Sequence, residues 1–420
     1  MDEPVIINEG SDGAELAALY RDLHRHPELS FAEERTASIV ARTLGGLGYE
    51  VHTGIGRTGV VGVLRRGGGP TVLVRADMDG LPVEEATGLP YASTARGIDP
   101  DGHDVPVMHA CGHDVHVTCL LGAARQLAAD PDWTGTLLLV GQPAEEVGSG
   151  AKAMIADGLY DRVGSPDVVL GQHVGPLPAG MIGLHPGPAF ATSDSLTITL
   201  HGKGGHGSRP ESCVDPVVMA ASLVLRLQGI VAREVAGAEV AVVTVGVLRA
   251  GTKVNIIPDT GELEVNVRSY DEEVRQRVLA ALERITVAEA QASGAPRPPE
   301  IVHTDSFPVL VNDPDASART ASTLARVFGT AAVVDTGAIT GSEDVGEFAT
   351  AAGVPCVYWI LGGADPAAFA GVSGAAGLVR AMPGVPSNHS PLYAPVIEPT
   401  LGNGVAALVV AAKEWLGTPG

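Results

Sequence analysis

Leu137-Leu138-Leu139-Val140-Gly141-Gln142-Pro143-Ala144-Glu145-Glu146 is an apolar run that breaks, after one glycine, into a polar segment with two adjacent carboxylates. The same arrangement occurs twice more. Val72-Leu73-Val74 precedes Arg75-Ala76-Asp77-Met78-Asp79, and Val168-Val169-Leu170 precedes Gly171-Gln172-His173. Short continuous apolar runs that end in Gly, Pro and polar groups read as strands buried on both faces, and open α/β sheets carry their ligand sites at the carboxyl ends of such strands. Several strand ends are therefore expected to aim their chemistry at one crevice.

Five side chains at or near those ends can ligate a metal ion: Cys111, His113, Glu146, His173 and His389. Thiolate, imidazole and carboxylate suit zinc-like and manganese-like ions, and the set exceeds the four positions of one tetrahedral ion. Two ions sharing ligands follow naturally. Cys111 and His113 are two apart, so they can converge on one centre, and a thiolate sulfur can bridge two cations. Glu145 and Glu146 are adjacent, so their side chains diverge; one can bind metal while the other acts as general base on a water. Singly, each residue has a plainer reading, since a lone Cys is commonly a small buried hydrophobe and a Glu pair a solvated helix start. His109 and His116 are read as packing or capping histidines. It is the convergence of five donors that favours a metal centre.

At 420 residues the chain exceeds the usual single-core size and should form two domains. No apolar run approaches the 18 residues of a membrane span, and a net charge of −22 would repel nucleic acid and acidic membrane. It does not argue against a small anionic substrate, because local metal charge can outweigh the global field. Cys111, Cys119, Cys213 and Cys356 have no framework spacing, and Met1-Asp2-Glu3-Pro4 lacks a basic region followed by an apolar one, so a reducing cytoplasm is expected.

From about Leu16 to Gly187 the pattern alternates between helices and strands, with helices over Ala37 to Leu44 and Val115 to Ala129. It changes at Ser195. Leu196 to Leu200 and Glu262 to Val267 alternate with period two, while Val214 to Ala232 and Glu272 to Ala292 carry helical periodicity. Two strand and helix pairs predict a compact α+β insert, with 294–299 as the return linker. Asp315 to Phe328 then reads as a helix, Pro355 to Leu361 as a buried strand, Ala364 to Ala376 as a surface loop and Val405 to Leu416 as the last helix. The expected fold is α/β: a mostly parallel-sheet catalytic domain from 1–187 and 301–420, interrupted by an inserted α+β domain at 188–300. Within the insert, the glycines of Gly202-Lys203-Gly204-Gly205-His206-Gly207-Ser208-Arg209-Pro210 can display His206 on a tight turn.

HACGHDVH (109–116), QPAEEVGSGAKAMIADG (142–158), GKGGHGSRP (202–210), NIIPDTGELEVNVRS (255–269), GSED (341–344) and NHSPLY (388–393) resemble, in order and spacing, the dinuclear-metal aminoacylase and carboxypeptidase family. Within it they look like the branch of hippurate hydrolases, indole-acetyl-amino-acid hydrolases and bacterial N-acyl-amino-acid amidohydrolases. The resemblance runs from about Leu23 to Tyr393. Carboxypeptidase members tend to carry His-x-Asp where Asp77-Met78-Asp79 stands and a bridging Asp in place of Cys111, which favours the aminoacylase-like branch.

The resemblance implies hydrolysis of the amide bond of a small N-acyl amino acid, with two divalent ions per subunit, zinc or manganese first and cobalt or nickel compatible. The alternative is a dipeptidase or carboxypeptidase on the same scaffold. Glu145 would be the general base, and His206 of the partner subunit would stabilise the oxyanion, so the insert would be a lid through which a homodimer forms. Asn255 and Arg268 look similar to lid residues that hold the substrate's carboxylate, although an ordinary surface ion pair is the plainer reading of Arg268. Asp79 would orient a ligand imidazole, with Asp114 as a second candidate. The family often continues GSED with Phe where this chain has Val345. A catalytically silent metal-dependent binding protein would be expected to have lost its base, and Glu145 is present.

Overall fold

The computed structural model describes residues 13–372 and 374–419. In chain order the strands of the two large sheets are β1 (Glu50–Ile55), β2 (Gly59–Arg66), β3 (Thr71–Asp77), β4 (Gly135–Gln142), β5 (Val168–Pro178), β6 (Ile182–Gly183), β7 (Ser193–His201), β8 (Ala241–Ala250), β9 (Thr260–Ser269), β10 (Glu300–Phe307), β11 (Val333–Val334) and β12 (Cys356–Ala364). The longer helices are α1 (Gly13–Arg25), α2 (Glu34–Gly46), α3 (His113–Ala129), α4 (Pro216–Glu234), α5 (Glu272–Ala292), α6 (Pro314–Phe328) and α7 (Ile397–Trp415).

The first unit comprises 1–187, 311–337 and 344–420. Its sheet runs β1-β2-β4-β3-β5-β12-β6-β11. The three apolar runs are its centre: β4, β3, β5 and β12 are mutually parallel, while β1 and β2 extend the sheet antiparallel. Register makes the carboxyl ends level, since Asp77 lies opposite Gln142, Arg75 opposite Gly171 and His173 opposite Ile360. Val72, Leu137, Leu139 and Leu170 are fully buried with Leu120 and Leu127 of α3 and Ala411 of α7 in one core. Each large aliphatic side chain so buried contributes about 1.5–3 kcal/mol.

The second unit comprises 188–310 and 338–343. Its antiparallel sheet, β8-β9-β7-β10, buries Leu196, Leu263 and Val265 with Leu223 and Leu227 of α4 and Val278 and Leu282 of α5. The insert thus has four long strands where two were expected. The expected return near residue 300 moves to about 310, because Glu300–Phe307 pairs with β7 and 294–299 is only the turn into it. Short helical turns break the loop expected after Ala364, at Pro366–Phe369 and from Ala375. At 19 residues α4 has the length and composition of a membrane span, which the sequence reading did not anticipate, but Met219, Leu223, Leu227 and Ile230 form a buried stripe against the insert's own sheet.

One ion cluster ties α1 to the start of α3. His24, fully buried, places Nδ1 2.6 Å from Asp114 Oδ2 and Nε2 3.1 Å from Glu85 Oε1. Burial alone would depress the imidazole, but the hydrogen bonds to Asp114 and Glu85 outweigh it and raise the pKa to about 10. A raised folded value means that this contribution is complete below about 6.5, the unfolded value, and is lost as pH climbs through about 10. Thermal midpoints measured from pH 7 to pH 10 should therefore fall more steeply for the wild type than for His24→Leu. That variant should also lose roughly 3 kcal/mol at pH 7, because two buried carboxylates are left unpaired.

Candidate metal centre

Cys111, His113, Glu145, Glu146, His173 and His389 come together at the level carboxyl ends of the first unit's sheet. The chain after β4 turns through Ala144, and the backbone N–H groups of Glu145 and Glu146 donate to Asp79 Oδ1 and Oδ2, each at 3.1 Å. Gly112 precedes α3 at φ 84°, where a Cβ would lie 2.4 Å from Val174 Cγ1, so only glycine lets Cys111 and His113 flank this turn. His389 is itself left-handed at φ 70°, and its N–H donates to Ala110 O at 2.8 Å.

The ligand atoms form two overlapping triads. Cys111, His113 and His173 have donor atoms within 4.8 Å of one another, and so do Cys111, Glu146 and His389. Cys111 is common to both. Its Sγ is 3.4 Å from His173 Nε2, and His389 Nε2 is 3.4 Å from Glu146 Oε2. Glu145 joins His113 and Glu146 in a further cluster, 3.8 Å from His113 Nε2.

The tautomers suit ligation. His173 Nδ1 lies 2.8 Å from Val174 O, to which it donates, leaving Nε2 with a lone pair facing Cys111. His113 Nδ1 faces Asp79 Oδ1 at 3.3 Å, leaving Nε2 towards Glu145 and Glu146. Burial, then the neighbouring His116, pushes His173 well below the usual imidazole range, so it is the neutral ring a metal requires.

The charge balance is the test of whether cations fit. Asp77, Asp79 and Glu145 are buried with Glu146, whose side chain is 7% exposed. Arg75, also buried, pairs with Asp77 at 2.6 Å and Asp344 at 2.9 Å. His113 is raised to about 10: burial opposes the shift, but Asp77, Asp79 and Glu146 outweigh it. Glu146 is raised to about 8 by burial and by Asp79 and Asp77, with His113 opposing. Both shifts express a shortage of positive charge. Divalent cations here would favour the ionised carboxylate and the neutral imidazole. His113 Nε2 and Glu146 Oε1 are moreover buried without a hydrogen-bond partner among the described residues. The donor set fits two divalent ions.

Several supporting residues carry no signature in the sequence. Asn388 Nδ2 donates to Cys111 O and Val174 O, each at 3.0 Å, clamping the backbone of Cys111 to β5. His116 hydrogen-bonds Asp77 through Nδ1 and accepts from Val174 N at Nε2, so both its nitrogens are engaged. Asp114 turns to His24 rather than to a ligand imidazole.

In the insert, His206 is exposed, and its Nδ1 accepts from Ser208 N at 3.1 Å, which places the ring proton on Nε2. Gly207 N donates to Asn255 O, so Asn255 sits beside this turn. Arg268 donates to Asn266 Oδ1, Thr340 O and Ser342 Oγ, and among the described residues it pairs with no carboxylate.

The family model of peptidase family M20/M25/M40 matches residues 73–373. A hippurate hydrolase of Campylobacter jejuni is 44% identical over 66% of this chain and 70% of its own length. Thermostable carboxypeptidase 1 of Saccharolobus solfataricus is 39% identical over 81% and 84%. A crystal structure of a dinuclear metal-binding peptidase of the M20 family from Bacillus subtilis superposes with a TM-score of 0.73 at 29% identity, covering 95% of this chain and 97% of that one.

If Cys111 joins the two triads, Cys111→Ser should lower bound metal measured by elemental analysis, since a hydroxyl is a far weaker bridge than a thiolate. Thiol reagents should modify the wild type faster after chelation than before. Full stoichiometry in the variant would remove Cys111 from the centre.

Proposed function

From the premise that this chain belongs to peptidase family M20/M25/M40, we propose that it is a metal-dependent amidohydrolase acting on N-acyl amino acids. The observation that carries the reading is the pair of ligand triads sharing Cys111, with the Glu145 carboxylate beside them. Relatives named hippurate hydrolase and N-acyl-L-amino acid amidohydrolase support the substrate class. Carboxypeptidase relatives keep a peptide substrate as the second reading. Hydrolysis of acetyl-, benzoyl- or indole-acetyl-amino acids in preference to dipeptides with a free amine decides between them.

When bound, two divalent cations would polarise the scissile carbonyl and acidify the attacking water; zinc and manganese suit the mixed donor set. Glu145 takes the proton from that water and delivers it to the amide nitrogen as the C–N bond breaks, releasing acid and amino acid. Asp79 orients His113 and fixes the backbone from which Glu145 projects. Arg268 and Asn255 would hold the substrate's carboxylate, the former because no protein carboxylate claims its charge among the described residues. His206 of the partner subunit would donate its Nε2–H to the oxyanion.

A homodimer through the insert is supported by the outer strand β8, where Val242 and Leu248 are exposed, and by α4, where Val218 and Leu225 are 66% and 76% exposed. An unpaired, apolar edge strand beside an apolar helix face favours a second copy. The four free cysteines, three of them buried, and a thiolate ligand that must stay reduced support a cytoplasmic location.

Glu145→Ala should lower kcat by about 10²-fold or more with metal retained, whereas Glu146→Ala should lose metal. Equal metal loss in both would show their roles to be wrongly divided. For the lid, mixing inactive Glu145→Ala and His206→Ala subunits should restore activity toward about a quarter of wild type, because half of a statistical mixture is mixed dimer with one intact site each. Verified exchange without recovery would place His206 in cis or outside the reaction.

A further inference from the structure

Among the described residues, only Phe31, Arg57, Ala144 and His389 are non-glycine residues with positive φ, at 62°, 81°, 49° and 70°. Left-handed backbone is unfavourable for residues with a Cβ and persists only where surrounding contacts impose it. Three of the four surround one side chain, Glu33, which is fully buried. Its Oε1 accepts from Phe31 N and from Ala144 N, each at 2.8 Å, and its Oε2 accepts from Thr58 Oγ, the residue after Arg57. The Arg57 guanidinium lies 4.3 Å from the centre of the Phe31 ring, closing the cluster.

Ala144 is the residue before the two site glutamates, so its conformation sets the direction in which they leave the strand end. Three consecutive amides, of Ala144, Glu145 and Glu146, donate to buried carboxylates, the first to Glu33 and the next two to Asp79. Ser30 Oγ donates to Asp79 Oδ2 at 2.7 Å, so the short segment from Ser30 to Glu33 grips the whole turn. Glu33 also stands immediately before the first turn of α2, and burial, with the neighbouring Asp79, raises its carboxyl to about 7.

We propose that Glu33 is a positioning residue: its carboxylate holds Ala144 left-handed and thereby aims Glu145 at the scissile bond and Glu146 at the metal. The proposal rests on the roles assigned to those two glutamates. It acts through the backbone, since the hydrogen bonds of its side chain go to Phe31 N, Ala144 N and Thr58 Oγ and to none of the candidate metal donors. Glycine adopts the left-handed conformation without penalty, so Ala144→Gly should make the clamp largely dispensable.

The test has two arms. In metal-free protein, amide hydrogen exchange over 144–146 should quicken by about tenfold or more in Glu33→Ala, while peptides of the β3 and β5 strands keep their wild-type rates. With metal restored, kcat on the best N-acyl substrate should fall about 10- to 100-fold with KM nearly unchanged. The double variant Glu33→Ala/Ala144→Gly should recover most of that loss. Glu33→Gln, which keeps an acceptor oxygen for both amides, should stay within about threefold of wild type and carries the test if the alanine variant does not fold. Unchanged exchange at 144–146, or a loss in kcat that Ala144→Gly does not restore, would overturn the proposal. Because the exchange arm needs no substrate, an enzyme that cleaves no N-acyl amino acid would sink the functional reading and leave this one still decidable.

Discussion

Asp77, Asp79, Glu145 and Glu146 crowd four carboxyl groups around the imidazole of His113, and most of the surrounding architecture serves to hold these groups together. Parallel strands bring them together, because level carboxyl ends force the residues that follow β3 and β4 into one place. Arg75 reaches across those strands to Gln142, Asp77 and Asp344 at 2.6–2.9 Å, so its buried guanidinium is shared between Asp77, beside His113, and the more distant Asp344. Asp79, on the other side of His113, has no guanidinium among the described residues and is held by the N–H groups of Glu145 and Glu146 and by Ser30 Oγ. A buried anion held this way is costly without a counter-charge, which is why the site's chemistry and its stability cannot be separated.

The centre of this arrangement was legible in the chain because burial on both strand faces demands uninterrupted apolar residues, and a break in such a run is visible. Four of the five candidate donors stand where those runs end or where a glycine punctuates the backbone, and His389 stands apart, between Ser387-Asn388 and Ser390-Pro391. Other residues were not legible for equally physical reasons. Asn388 acts on Cys111 and Val174, each more than two hundred positions away, and an asparagine before a histidine has no feature that announces a clamp. His116 reads as packing because it is packing, with both nitrogens satisfied by Asp77 and the backbone. In the insert, β8 was missed although Ala241 to Leu248 alternates. β10 was missed because, as an edge strand with no fully buried residue, it keeps no clear period.

The insert solves a different problem from the sheet that it interrupts. Its strands are antiparallel and bury one face against α4 and α5, and the polar groups of interest, His206 and Arg268, are held by neighbours that satisfy only part of their bonding capacity. Ser208 N–H fixes the tautomer of His206 and leaves its Nε2–H free of that bond, and neutral oxygens hold Arg268 without cancelling its charge.

His389 lies beyond the insert in the chain, while the other donors precede it. During synthesis the ribosome therefore emits Cys111, His113, Glu146 and His173, then the whole insert, before the residue that completes the second triad leaves the exit tunnel. A nascent chain can present one triad to a metal ion long before it can present two. Domains that fold as they emerge would let the insert reach its own structure first. Full loading is then a late event, coupled to closure of the discontinuous domain, and a chain interrupted anywhere between the insert and His389 would carry a partial centre with no means of completing it.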